Sequence, residues 1–203
     1  GRIMGMYATQ NHDGGVLPIH CIEYNTPHES GGKNIQTGNS GKVMVESHRV
    51  ALSTAFSVAG QVVPDSDTEK LHKVLHLHFE EVAVPKDGPS AGLAMTLVIL
   101  SRLQNKPILN TLAVTGEINV SQQVTAIGGL EDKIYGSIES GARVFIAPLE
   151  NYKDTKSFVQ FETLESDKTN PNHYVLKVKD KESHNVVTLH LLNNLEEAMG
   201  VAF

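Results

Sequence analysis

The residues best suited to chemistry lie in V-P-K-D-G-P-S-A-G, positions 84–92, which runs straight into an apolar segment from Leu93 to Leu103. Ser90 sits there between glycines and a proline, at the mouth of a predicted helix. A serine hydroxyl is a weak nucleophile until a base takes its proton. A helix N-terminus adds free backbone N–H groups and a dipole that favours developing negative charge. Read alone, Ser90 fits an N-cap after a Gly-Pro turn better, because serine is a favoured cap. The G-x-S-x-G elbow of α/β-hydrolases is not present, since no strand runs directly into the turn.

A partner base changes that reading. No aspartate–histidine pair stands in an obvious triad order, but a lysine can replace the histidine in a Ser-Lys dyad. A free lysine, with a pKa of about 10.4, is protonated at neutral pH and cannot act as a base. Burial in apolar surroundings lowers that value. Lys133 follows the apolar, glycine-containing run Ala126 to Leu130 and precedes Ile134 and Tyr135. Its bland alternative is a surface lysine in the cluster Glu131-Asp132-Lys133. His76 and His78, two apart on a predicted strand, face the same way. No third or fourth ligand stands at a recognisable spacing and Cys21 is isolated, so no metal site is expected.

These side chains need elements to hold them. Val43 to Ala59 has helical apolar spacing, with Gly60 as its stop. Ser90 to Leu103 is the most apolar helix candidate. Gly129 to Ser140 is a helix closed by Gly141 and carries Lys133. Strands are expected at Gly15–Glu23, near Asn34–Thr37, and at Val74–Phe79, Leu112–Thr115, Arg143–Pro148, Tyr174–Lys179 and Val186–Leu191. A hairpin is expected in Glu117–Ile127 and a last short helix at Leu195–Met199. Connections are expected at 62–70 and 82–89. The alternation from Val74 onward predicts an α+β or α/β domain.

Bulk properties narrow the class. The chain has 203 residues, 40% hydrophobic and 20% charged, which fits a globular domain with a core that needs no staples. A net charge of −6 without a basic run disfavours a nucleic-acid binder. The single cysteine excludes an internal disulfide and fits a reducing compartment. No apolar run approaches the ~18 residues of a membrane span. No signal peptide opens the chain, and the absent initiator methionine suggests a piece of a longer protein.

P-K-D-G-P-S-A-G, then T-G-E-I at Thr115, then I-G-G-L-E-D-K and G-A-R-V-F-I-A-P-L-E-N together resemble the proteolytic domain of the Lon proteases (peptidase family S16). The motifs match in order from Val74 to Asn151, with a weaker match upstream. The resemblance implies one Lon-type domain over residues 1–203, of compact mixed-sheet α+β fold and ribosomal protein S5 domain 2-like, with the Ser90 and Lys133 helices packed near each other. It implies a serine endopeptidase in which Ser90 is the nucleophile and Lys133 the general base. Thr115 would help hold the lysine, and Asp87 would lie near the active site, shaping access or capping a loop. His76 would be a supporting residue near the dyad. The backbone N–H groups of Ser90 and Ala91, with Gly128 as a further candidate, would bind the oxyanion.

Family members carry an ATPase module, but no G-x-x-x-x-G-K-[ST] loop occurs here. The resemblance therefore implies no cofactor in this domain; ATP and magnesium would serve only the absent module. It further implies unfolded or damaged protein substrates, a hexamer in the full-length protein, and a cytoplasmic or, in a eukaryote, mitochondrial-matrix location. A catalytically silent Lon-like assembly module is the alternative. The chain departs from the common bacterial pattern at Tyr7–Gly14. Its polar stretch 152–172 is longer than the usual connection, and the segment 82–88 is the expected site of any inactive-loop form.

Overall fold

A computed structural model describes residues 1–27, 33–60, 71–81 and 86–203. The expected connection at 62–70 and residues 82–85 of the connection expected at 82–89 lie outside them. Nine strands form one mixed sheet in the order β3-β4-β2-β1-β5-β8-β11-β10-β9. They are β1 (Arg2–Ala8), β2 (Gly14–Pro27), β3 (Ile35–Thr37), β4 (Leu71–Phe79), β5 (Leu112–Val114), β8 (Val144–Pro148), β9 (Phe161–Asn170), β10 (His173–Asp180) and β11 (Val186–Leu192). A separate small hairpin joins β6 (Glu117–Ile118) to β7 (Val124–Thr125). The helices are α1 (Lys42–Ala59), α2 (Gly92–Gln104), α3 (Leu130–Glu139), α4 (Tyr152–Thr155) and α5 (Leu195–Ala202).

The sheet separates two apolar layers. On one face, α1, α2 and α5 cover Ile3, Leu17, Ile19, Leu75, Leu77, Leu112, Val114 and Ile146. On the other, α3 places Leu130, Ile134 and Ile138 over Met4, Met6, Ala113, Phe145 and Ala147. Neighbouring residues of β1, β5 and β8 thus go to opposite layers, as the two-residue period of a strand requires. A strand buried on both faces loses its alternation of polar and apolar residues. For that reason β1 escapes a reading by pattern.

The Ser90 and Lys133 helices, expected near each other, meet through Thr115 and not by packing face to face. α2 is apolar nearly all round and belongs to the first layer, whereas the narrower stripe of α3 belongs to the second. The sheet runs between them.

α3 approaches β2 closely through two glycines. A Cβ added at Gly136 would lie 1.8 Å from the Gly14 carbonyl oxygen, and one added at Gly14 would lie 2.0 Å from the Asp132 oxygen. Only hydrogen on both α-carbons lets backbone meet backbone at this distance.

The polar stretch 152–172 is ordered. It forms α4 and the outermost strand β9, antiparallel to β10. β9 is exposed along most of its length and carries Glu165 opposite Lys177, with Oε2–Nζ at 2.8 Å. Charged side chains on an edge strand discourage pairing with a further chain.

Candidate active site

Ser90 precedes α2 rather than opening it. The helix begins at Gly92, with Ala91 at its N-cap position in helical conformation. Pro89 and Ser90 form a turn, closed by the Gly92 N–H donating to the Pro89 carbonyl at 3.0 Å. Ser47 of α1 also donates its hydroxyl to that carbonyl, at 3.4 Å. Ser90 is half-buried. Its hydroxyl makes no hydrogen bond among the described residues, so Ser90 is not a side-chain cap.

Residues 115–116 support the turn from the sheet. The Gly116 N–H donates to the Ser90 carbonyl at 2.9 Å, and the Leu93 N–H donates to the Gly116 carbonyl at 3.0 Å. The Thr115 N–H is held by the Ile146 carbonyl of β8 at 3.0 Å. Thr115 is fully buried, and its hydroxyl donates to the Ser90 carbonyl at 3.4 Å.

Lys133 reaches the same place from the other layer. Its Nζ donates to Thr115 Oγ1 at 3.2 Å. The threonine has one hydroxyl hydrogen, already directed at Ser90, so toward Lys133 it can only accept. That bond suits the ammonium and the neutral amine alike. Lys133 is 4% exposed. Burial lowers its pKa from 10.5 to about 8, with no opposing carboxylate. Its neighbours in sequence turn outward: Glu131 Oε1 accepts from the Gln160 N–H at 2.6 Å, and Asp132 Oδ2 meets His12 Nδ1 at 3.1 Å. The surface-lysine reading therefore fails on geometry.

Asp87 is exposed but bound. Its Oδ1 accepts from the Met44 N–H of α1 at 2.9 Å and from the Gly88 N–H at 3.0 Å. Gly41, the N-cap residue of α1, has no side chain to cap with, and a Cβ there would lie 2.4 Å from Asp87 Cγ. Asp87 thus supplies the missing cap from a distant segment. Its hydrogen bonds go to α1 and its own turn, and none goes to Lys133.

His76 belongs to β4, next to β3. Its Nε2 lies 2.8 Å from Thr37 Oγ1, and His78 Nδ1 lies 2.7 Å from the same oxygen. No hydrogen bond joins it to Ser90, Thr115 or Lys133. Among the described residues, no group of three His, Cys, Asp or Glu side chains could hold a metal ion.

The three oxyanion candidates share one property. The backbone N–H groups of Ser90, Ala91 and Gly128 donate to nothing among the described residues. Gly128 is exposed just before Gly129, which caps α3 at φ 68°. One residue that sequence reasoning passed over is Asn151. It is 2% exposed and hydrogen-bonded to both backbone groups of Ile127. The only signal of it in the sequence was its place at the end of the A-P-L-E-N run.

The sequence model of the Lon protease (S16) C-terminal proteolytic domain matches residues 1–169. The chain is 39% identical over 129 residues to a Lon protease of Desulfatibacillum aliphaticivorans, covering 64% of this chain and 16% of that protein. It is 37% identical over 178 residues to the mitochondrial Lon protease homolog of Caenorhabditis briggsae, covering 86% of this chain and 18% of that protein. It is 41% identical over 118 residues to a Lon protease of Methanosphaera stadtmanae, covering 58% of this chain and 14% of that protein. The chain spans less than a fifth of the length of these relatives. With the family match running from the first strand through the Ser90 turn, the Lys133 helix and most of β9, the chain belongs to the Lon protease C-terminal proteolytic domain family.

Proposed function

We propose that this domain is a serine endopeptidase in which Ser90 and Lys133 form a catalytic dyad. The observation that carries this reading is the buried Lys133, held by Thr115 against the Ser90 turn without a counter-ion. A buried charge without a partner costs stability and is rare outside functional sites. With its pKa lowered to about 8, a useful fraction of the amine is neutral near neutral pH.

Neutral Lys133 takes the Ser90 hydroxyl proton as the oxygen attacks the peptide carbonyl. The tetrahedral oxyanion accepts from the unpaired N–H groups of Ser90 and Ala91, or from that of Gly128. Lys133 then gives its proton to the leaving amine as the C–N bond breaks. Water, deprotonated by the same amine, hydrolyses the acyl-enzyme and returns the proton to Ser90. Ser90 Oγ and Lys133 Nζ are not hydrogen-bonded to each other in the free domain. Catalytic hydrogen bonds often close only around substrate.

The domain is read as the proteolytic part of a larger ATP-dependent protease acting on unfolded or damaged proteins. It would work as a hexamer, in the cytoplasm or the mitochondrial matrix. Nucleotide and magnesium would belong to another module of that protein. A silent assembly module would have no use for a dry lysine beside an unpaired serine.

Hydrolysis of an unfolded casein-like protein by the wild type and by Ser90→Ala tests the reading. Wild-type cleavage abolished in a folded S90A is the expected result. Equal inertness of the two proteins under conditions that support assembly would sink it.

A further inference from the structure

Asn151 touches neither Ser90 nor Lys133 by hydrogen bond, yet it governs the segment that leads to the lysine. Its Nδ2 donates to the Ile127 carbonyl at 2.8 Å and its Oδ1 accepts from the Ile127 N–H at 3.1 Å. A primary amide that grips both groups of one residue imitates a strand neighbour and leaves that residue no freedom to rotate. The same Nδ2 donates to Asp154 Oδ2 at 2.6 Å, so the amide is itself oriented.

Two consequences follow for the site. In a trans peptide the C=O and the next N–H point in opposite directions. With the Ile127 carbonyl turned into Asn151, the Gly128 N–H is turned away from it, and Gly128 is exposed. The segment then passes through Gly129, whose carbonyl accepts from the Lys133 N–H at 3.0 Å in the first turn of α3. Asn151 ends the short helical turn Leu149–Asn151 that follows β8, and β8 also holds Thr115 through Ile146. One strand thus anchors both the lysine's hydrogen-bond partner and the entry to the lysine's helix.

We propose that Asn151 is a positioning residue that, by fixing the Ile127–Gly128 peptide, keeps Lys133 dry and seated on Thr115 and aims the Gly128 N–H at substrate. This rests on the dyad reading for its catalytic consequence but not for its structural one. No charged side chain competes for Lys133 among the described residues, so its titration reports how well water is excluded.

The test uses Asn151→Leu in the same protein. The substitution keeps the size of the side chain and removes both bonds to Ile127 without adding a charge. Titration of the Lys133 ε-methylene by nuclear magnetic resonance, in protein carrying 13C-labelled lysine, measures the amine directly. Hydrolysis of an unstructured fluorogenic peptide measures its use. In N151L the lysine titration is expected to move up toward that of an ordinary lysine. The kcat is expected to fall about tenfold or more, with KM within about threefold of wild type. Asn170→Ala, which removes a hydrogen bond to Glu197, serves as the control for general loosening. An unmoved Lys133 titration in folded N151L overturns the proposal, as does an equal shift in N170A. If N151L does not fold, Asp154→Asn, which weakens the orientation of the amide, is held to the same criterion. If the titration moves in N151L while the wild type shows no Ser90-dependent cleavage, the peptidase reading fails and the positioning role stands.

Discussion

Lys133 Nζ donates to Thr115 Oγ1 at 3.2 Å, and the threonine passes its own hydrogen to the Ser90 carbonyl at 3.4 Å. Lys133 and the Ser90 turn are thus joined by one buried hydroxyl. Thr115→Val keeps the shape and removes both bonds. It is expected to lower kcat by up to about 100-fold and to cost about 1–3 kcal/mol of stability. Thr115→Ser should restore most of both, as steady-state peptide hydrolysis and urea unfolding would show.

The pH dependence follows from the lysine. Burial lowers its pKa to about 8 from 10.5, so kcat/KM should rise with pH through about 8. A rate profile whose ascending limb lies near 10 would contradict the buried base. Below about pH 8 the lysine is charged in folded and unfolded chains alike, and the folded state bears the full penalty of holding it dry. Between about 8 and 10.5 the unfolded chain binds the extra proton, so stability rises with pH across that window.

The size of that penalty gives a separate prediction. Lowering the lysine from 10.5 to about 8 corresponds to roughly 3 kcal/mol. Lys133→Met fills the same space without charge. It should abolish hydrolysis while raising stability at pH 7 by about 1–3 kcal/mol, less whatever the unpaired Thr115 hydroxyl costs. Denaturant unfolding at pH 7 and pH 10.5 should show the advantage shrinking at the higher pH.

Gly136→Ala would drive a methyl into the Gly14 carbonyl, 1.8 Å away, and both sides of that contact are backbone. A destabilisation of about 1–3 kcal/mol or more is expected, with loss of hydrolysis as α3 lifts. Gly200→Ala, within α5 and with nothing within 4 Å of the new Cβ, should instead stabilise by about 0.5–1 kcal/mol and leave the rate unchanged. Thermal unfolding of the pair separates close approach from helix propensity.

Asp87→Ala removes the cap on the Met44 N–H and the bond to the Gly88 N–H. About 1 kcal/mol of stability should be lost, with a drop in kcat as the Ser90 turn loosens. Asp87→Asn keeps the oxygen acceptor and should recover most of the stability, giving up only the roughly 0.3–1 kcal/mol of charge–dipole interaction. Wild-type stability in D87A would show that the turn is held elsewhere.

Much of this architecture was legible in the sequence because local patterns and tertiary needs agree. α1 shows its apolar stripe and its left-handed Gly60 stop, and β4, β8, β10 and β11 fall where alternating or apolar runs predicted them. β1 was not legible, since burial on both faces leaves no alternation and Gly5 interrupts the run. β9 was not legible for the opposite reason: it buries almost nothing and exists by pairing with β10. At the site, Ser90, Thr115 and Lys133 carry their chemistry in their residue types, and the structure brings them together. The Asn151 clamp and the Gly14–Gly136 contact join residues far apart in sequence, which spacing cannot reveal.

The sheet that keeps α2 and α3 apart has a consequence for a nascent chain. With only the first layer packed, Ser90 has its turn but no base. With only the second, Lys133 has Thr115 on the sheet but no Ser90 turn for the threonine hydroxyl to hold. Neither half can cut a bond, so under the dyad assignment hydrolysis waits until both faces of the sheet are closed.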